Sequence, residues 1–260
     1  MKLLSIVIPF YNRRQLLINV LRSICYFKKD YPIEVIIVDD GSTHPETIPD
    51  IAYLFPSLDI NLIIIKRNKL EKKRTPVVAY NTGFNAATGD VILINSAECI
   101  HTGNIIGYVF NNLNPKSYLA FATYQGTYEL NEIFNKLNWL DPDVMIYAHI
   151  AMDDLQNGWH SHSSHQTFIP FCAAINREDL EILSGYDERF IKGIGYDDYD
   201  FTDRIENLGL AKRLIDSPFC VHQMHPSTVY SNTINIDLLS YLRKTKPKRI
   251  KALKNKFYVR

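Results

Sequence analysis

Four cysteines in 260 residues, Cys25, Cys99, Cys172 and Cys220, are spaced too widely to form any Cys-x-x-Cys pair. That spacing excludes the common zinc and dithiol motifs and fits reduced thiols in a reducing, cytoplasmic compartment better than a disulfide framework. Long apolar runs are also lacking: Leu3 to Phe10 is interrupted by Pro9 and runs into Asn12-Arg13-Arg14, so neither a secretory signal nor a spanning helix is expected there. A formal net charge of +1 supplies no global field to recruit nucleic acid, and none is expected as a partner. No Gly-x-Gly-x-x-Gly follows the first apolar run and no Gly-x-x-x-x-Gly-Lys-Ser occurs, which removes the dinucleotide and P-loop phosphate cradles. No internal repeat is visible.

With 46% hydrophobic residues, the chain can bury a sizeable core. Short Ile- and Val-rich runs, Leu4 to Pro9, Glu34 to Val38, Leu62 to Ile65 and Val91 to Ile94, alternate with helix-period segments. That alternation predicts an α/β fold, a mostly parallel, doubly wound sheet flanked by helices. A first helix is predicted with Asn12 as its cap and Gln15 at the third helical position, burying Leu16, Leu17, Val20, Leu21 and Ile24. A second opens at Thr75-Pro76 and stops near Gly89, and a third spans roughly Asn104 to Leu113. From Asn114 to about Gln166 the pattern is less regular, with His160, His162 and His165 clustered; this reads as a smaller subregion whose histidines lie on a loop. Order returns from Phe168 to His225. The stretch Arg243 to Arg260 holds nine Lys or Arg and no acid, a solvated basic helix or a surface that meets phosphate groups.

The segment Gly193 to Gly209 places Asp197, Asp198, Asp200 and Asp203 within seven residues. Phe201, Ile205 and Leu208 follow helical spacing and Gly209 suits the left-handed position after a helix end. Asp200 and Arg204, four apart with the acid first, are expected to pair on the water-facing side. Asp197 and Asp198 fall at the helix N-terminus, where the dipole favours a carboxylate and at least one projects toward the core side, placed to act as a base. Capping and solvation is the plainer alternative.

In doubly wound sheets, ligands bind outside the carboxyl ends of the strands. Here those ends read Pro9-Phe10-Tyr11-Asn12-Arg13, Asp39-Asp40-Gly41-Ser42 and Asn95-Ser96-Ala97-Glu98. Tyr11 could stack on a base, and Asp40 could accept a hydrogen bond from a base N–H such as uracil N3. A simple strand-terminating turn is the alternative for residues 39 to 42.

Four motifs, Ser5-Ile-Val-Ile-Pro-Phe-Tyr-Asn12, Ile36-Ile-Val-Asp-Asp-Gly-Ser42, Tyr80-Asn-Thr-Gly-Phe-Asn-Ala-Ala-Thr-Gly-Asp90 and Gly185-Tyr-Asp-Glu-Arg-Phe190, stand in the order and spacing of glycosyltransferase family 2, which the chain resembles over residues 3 to about 225. The resemblance implies the GT-A fold: one domain over residues 1–225, with a nucleotide-binding half of about 1–113, an acceptor half of about 114–225, and a basic tail from 226 to 260. It implies a nucleotide-sugar donor, a UDP-sugar, and a glycan or glycoconjugate acceptor. Pro9, Tyr11, Asp39, Asp40 and Asn95 then belong to the nucleotide site, with Asn95 placed for the ribose. Lys72, Lys73 and Arg74 are placed to approach the diphosphate. The aspartate segment also resembles the Gly-Trp-Gly-Gly-Glu-Asp stretch of β-1,4-galactosyltransferases, which implies Asp198 as the general base of an inverting transfer and Asp197 as the residue orienting the acceptor.

One departure stands out. Family members usually carry Asp-x-Asp after the fourth strand to hold the metal on the diphosphate, whereas this chain reads Asn95-Ser96-Ala97-Glu98. The resemblance leaves Glu98, with His222 and His225, as the expected ligands of Mn²⁺ or Mg²⁺. Two other functions are open: a sugar nucleotidyltransferase, although the glycine-rich phosphate loop of those enzymes is missing, and a non-catalytic carbohydrate-binding or scaffold protein. The basic tail carries an expectation of weak contact at a membrane periphery.

Overall fold

The computed structural model describes residues 2–66, 75–145, 149, 158–226 and 233–253. Its strands are β1 (Leu4–Phe10), β2 (Ile33–Asp39), β3 (Ile60–Ile64), β4 (Val91–Asn95), β5 (Cys99–His101), β6 (Ser117–Gln125), β7 (Gly158–His160), β8 (Cys172–Asn176) and β9 (Ala211–His222). They form one sheet in the order β3-β2-β1-β4-β8-β6-β9-β5, with β7 added on β6. The helices are α1 (Arg14–Lys28), α2 (Ile51–Leu54), α3 (Val77–Ala86), α4 (Ile105–Asn112), α5 (Tyr128–Lys136), α6 (Arg177–Leu183), α7 (Asp197–Asn207) and α8 (Thr233–Thr245), with a 3₁₀ turn at Glu188–Lys192.

The β-branched runs are buried on both faces because helices cover both. Along β1, Leu4, Ile6, Ile8 and Phe10 point into a core shared with Leu17, Val20, Leu21 and Ile24 of α1. Val7 points the other way, toward Val77, Val78 and Phe84 of α3 and Phe201 and Ile205 of α7, as the period of two requires. The strands β3-β2-β1-β4 are parallel. Beyond β4 the sheet is mixed, with β8 antiparallel to β4 and β6. Gly83 is what lets α3 close on the sheet, since a Cβ there would stand 2.4 Å from Cγ1 of Val7.

Three local readings change. Asn12 does not cap α1: it adopts a left-handed conformation with φ 49°, and its side-chain oxygen accepts from the Thr43 amide at 2.7 Å, tying the loop after β1 to the loop after β2. The region after Asn114 holds β6, a fully internal strand whose apolar residues face both layers and so show no alternation. It also holds α5, capped by Thr127, whose hydroxyl accepts from the Leu130 amide at 3.1 Å.

The described part of the basic stretch is folded back rather than solvated throughout. Asn207 of α7 donates to the carbonyls of Pro247 and Arg249 at 3.0 and 2.9 Å, and the Ala252 amide donates to Leu183 at 2.9 Å. Arg249 pairs with Asp187 at 2.8 Å and with Asp200, and Arg243 pairs with Asp203 at 2.7 Å. The Asp200–Arg204 pair, expected to face water, is therefore buried at 2% and 1% exposure. These pairs engage Arg243 and Arg249, two of the basic residues on which the membrane-contact expectation rests. Among the described residues, no helix is long and apolar enough to cross a membrane.

Candidate active site

The candidate crevice is the region at the carboxyl ends of β1, β2 and β4, where residues 11–13, 40–42 and 96–98 follow the strands. On its first side, Asp39 closes the turn after β2, its Oδ1 accepting from the Ser42 amide at 2.7 Å, so the turn reading of these residues holds for Asp39 beside any ligand role. Gly41 takes φ 79°, the left-handed conformation that glycine adopts without strain. Asp40 is buried beside it at the end of β2. Tyr11 is 39% exposed at the rim, and Pro9 is buried within β1 opposite Val38. Arg74, with Lys72 and Lys73, lies outside the described residues.

Asn95 is turned away from the crevice. It is fully buried; its amide donates to the carbonyls of Ser96 at 2.9 Å and Cys99 at 3.2 Å, and its oxygen lies 3.0 Å from Nε2 of His101. It braces the turn from β4 into β5, and both of its amide hydrogens are committed there. Glu98, at the end of that turn, forms an ion pair with Arg13 from the loop after β1 and accepts from Ser96 Oγ at 2.5 Å. Burial alone would push its carboxyl up, but the charges of Arg13 and His222 and the Ser96 hydroxyl hold it down to about 2. The β9 end is stitched to the same turn by Gln223, a residue with no advance signal except its place in Val221-His-Gln-Met-His225. Its amide N–H donates to the Glu98 carbonyl at 2.9 Å and its Nε2 to the Leu16 carbonyl at 2.9 Å. Burial lowers the pKa of His222 while the nearby Glu98 charge opposes it. The His222 ring lies 5.5 Å from Phe171 and 5.2 Å from His225. On the far side of Phe171, His160 stacks at 5.1 Å and meets His165 at 5.5 Å.

The second side is built by α7. Tyr196, in a left-handed conformation with φ 65°, turns the chain into the helix, and Asp197 and Asp198 open its first turn. Asp197 is buried and Asp198 half-buried. Burial, with only partial relief from the Tyr186 hydroxyl donating at 3.2 Å, pushes the Asp198 carboxyl up to about 6. Burial and the neighbouring Asp198 charge push Asp197 up as well. Tyr186 is the centre of a ring stack, with Phe201 at 4.7 Å and Tyr80 at 4.9 Å. The Tyr80 phenol is buried between the two sides: besides burial, both Asp198 and Glu98 push its pKa up. Both tyrosines stand inside quoted motifs without their stacking being visible there.

Two buried asparagines hold the frame. Asn81 of α3 accepts from the Tyr186 amide at 2.8 Å and donates to the Tyr186 carbonyl at 2.9 Å. Asn235 of α8 donates to Phe190 at 3.0 Å and Gly195 at 2.8 Å, and a Cβ on Gly193 would come within 2.6 Å of it. Asn235 lies beyond residue 225, where no site residue was anticipated.

The donor set offers a hard divalent cation little. In the turn after β4, Asn95 faces inward, Ala97 has no side-chain ligand atom, and the one carboxylate of that turn, Glu98, is engaged by Arg13 and Ser96. Among the described residues no three His, Cys, Asp or Glu side chains gather as a metal group. Glu98 and His222 are near enough to feel each other's charge, but the guanidinium of Arg13 is already on the carboxylate.

The sequence profile described as Glycosyl transferase family 2 matches residues 5–183, which spans the first three quoted motifs and ends with α6, before the Gly185 to Phe190 motif and α7. The chain belongs to glycosyltransferase family 2. It is 23% identical over 268 residues to the uncharacterized glycosyltransferase YfnE of Bacillus subtilis (strain 168), covering 87% of this chain and 66% of that protein. It is 37% identical over 251 residues to chondroitin synthase of Escherichia coli, covering 86% of this chain and 35% of that one. The chain thus spans between about a third and two thirds of the length of these curated relatives. Among solved structures, S. aureus TarS 1-349 in complex with UDP-GlcNAc matches with a TM-score of 0.59 at 13% identity, over 89% of this chain and 62% of that one. The mannosyltransferase PcManGT from Pyrobaculum calidifontis, in complex with GDP-Man and Mn2+, matches with a TM-score of 0.55 at 21% identity, over 84% of this chain and 56% of that one. These likenesses establish the GT-A fold for the family 2 chain.

Proposed function

We propose that the chain transfers a sugar from a UDP-sugar to a hydroxyl of a glycan or glycoconjugate with inversion at the anomeric carbon. The observation that carries this reading is the Asp198 carboxylate, held at the head of α7 by Tyr186 and raised to about 6. A base at that value is mostly ionised at neutral pH yet still accepts a proton readily. In the transfer, the acceptor oxygen forms its bond to the anomeric carbon as its proton passes to Asp198. The bond from that carbon to the diphosphate oxygen breaks on the opposite face, and the nucleoside diphosphate leaves with the electron pair. Asp197, beside Asp198 and itself buried, orients the acceptor. Tyr11 and Asp40 hold the base of the nucleotide. The part of the chain up to about residue 113 forms the donor half and the part from 114 to 225 the acceptor half, completed by Asn235 and Arg249.

Support comes from the family, from a neighbour solved with UDP-GlcNAc, and from the Tyr186 hydroxyl that holds Asp198 at the head of α7. Should the site take a divalent cation, Glu98 and His222 are the residues that would hold it. The test is a thermal-shift panel of UDP- and GDP-sugars followed by turnover of the stabilising donor. The reading requires that Asp198→Asn abolish turnover while leaving the donor's shift intact. The engagement of Glu98 by Arg13 favours a second reading, a carbohydrate-binding protein without turnover. That reading requires sugar binding in a parent protein that is inert toward every donor.

A further inference from the structure

The pairing of Glu98 with Arg13 points to a cation that the chain supplies itself. Arg13 follows β1 and Glu98 follows β4, two strands paired side by side in parallel, so their ion pair bridges two carboxyl ends on the crevice. The two partners are not equally buried. The Glu98 side chain is 8% exposed and the Arg13 side chain 37%, so the carboxylate is covered while part of the arginine side chain remains open to solvent. The carboxylate is itself fixed: Ser96 donates to its second oxygen and Gln223 holds the backbone of the same residue. A guanidinium has five N–H donors in a fork that matches phosphate oxygens, and the Glu98 bond uses Nη1 alone.

We propose that Arg13, anchored by Glu98, is the residue that binds the diphosphate of the donor, in the place where the family pattern would put a divalent cation. Glu98 is then a positioning residue for Arg13 rather than a metal ligand. The inference rests on the nucleotide-sugar reading above and specifies how that site handles charge. As the bond to the anomeric carbon breaks, negative charge grows on the departing diphosphate, and a guanidinium already held in place stabilises it without reorganisation.

The test is calorimetric binding of UDP and of UMP to the full chain, each in EDTA and in Mn²⁺. The parent is expected to bind UDP in EDTA within about threefold of its affinity in Mn²⁺. Arg13→Ala is expected to weaken UDP at least tenfold while changing UMP less than twofold, and Arg13→Lys is expected to recover only part of the loss. Because Arg13→Ala strands a buried carboxylate, the double variant Arg13→Gln with Glu98→Gln, which removes both charges together, guards against misfolding and is expected to show the same selective loss of UDP. Binding of UDP that requires Mn²⁺, or an unchanged UDP affinity in a folded Arg13 variant, overturns the role of Arg13 and leaves the transferase reading standing. Absence of binding by either nucleotide to the parent overturns both.

Discussion

Glu98, on the side proposed for the donor, and Asp198, on the side proposed for the acceptor, are two carboxylates on which burial acts in the same direction. Yet Glu98 is held down to about 2 and Asp198 is pushed up to about 6. The difference lies in the neighbours. Arg13, His222 and the Ser96 hydroxyl favour the ionised form of Glu98, whereas Asp198 has one phenol and stands next to Asp197. A carboxylate surrounded by donors is a fixed counter-charge; one short of them can take up a proton, and the two suit opposite ends of a displacement.

The largest effect expected from breaking this contrast is on turnover. Asp198→Asn should lower kcat about a thousandfold or more, the upper range for loss of a general base, with the donor affinity within about twofold. A loss below tenfold would move the base elsewhere. Arg249→Ala comes next. It leaves Asp187 and Asp200 buried with one guanidinium fewer each, and removal of one partner from such a network costs about 3 kcal/mol. A fall of that size in urea-denaturation stability is expected, together with weaker turnover, since Asp200 sits two residues along α7 from Asp198, the proposed base. An unchanged midpoint would mean that the returning segment contributes nothing to the framing of α7.

The stability effects of neutralising the two carboxylates should have opposite signs. The Glu98 value is depressed, so its contribution is present above its ordinary 4.5 and lost as pH falls through about 2; at pH 7, Glu98→Gln should destabilise by about 2 kcal/mol. The Asp198 value is raised, so the contribution of its protonated form is full below 3.8 and lost as pH rises through about 6. At pH 7, Asp198→Asn should therefore stabilise, by about 1 kcal/mol after allowance for partial exposure. Thermal melts of both variants at pH 7 check the pair, and shifts of the same sign would dissolve the contrast. The smallest effect is at Gly193, between the 3₁₀ turn and α7. Gly193→Ala would force Asn235 aside and weaken its two hydrogen bonds, costing about 1 kcal/mol in melts, with a severalfold drop in kcat/KM.

The donor side was the more legible in the sequence. Its strands are runs of Ile and Val, its turns carry Asp-Asp-Gly-Ser, and the Asn-Thr-Gly-Phe motif contains Asn81 and Gly83, whose buried bonds and close approach explain their residue types. On the acceptor side the acidic helix was legible in register but not in setting. The Asp200–Arg204 pair reads as a surface pair until residues from beyond 225 cover it, and nothing local to α7 signals that Arg249 and Asn235 will return. Asn95 read as a ribose ligand because its position after β4 was visible while its inward turn toward His101 was not. The Tyr80–Tyr186–Phe201 stack joins three separate elements, and such contacts leave no periodicity in a single segment.

The most direct test of the central contrast is the pH dependence of kcat/KM with the stabilising donor, for the parent and for Tyr186→Phe. An acid limb near pH 6 is expected in the parent, from a carboxylate that must be ionised to accept the proton, and it should move upward in Tyr186→Phe as the hydrogen bond that lowers the Asp198 value is removed. An acid limb near 4, or one that does not move with Tyr186, would contradict Asp198 as the raised carboxylate that serves as the base.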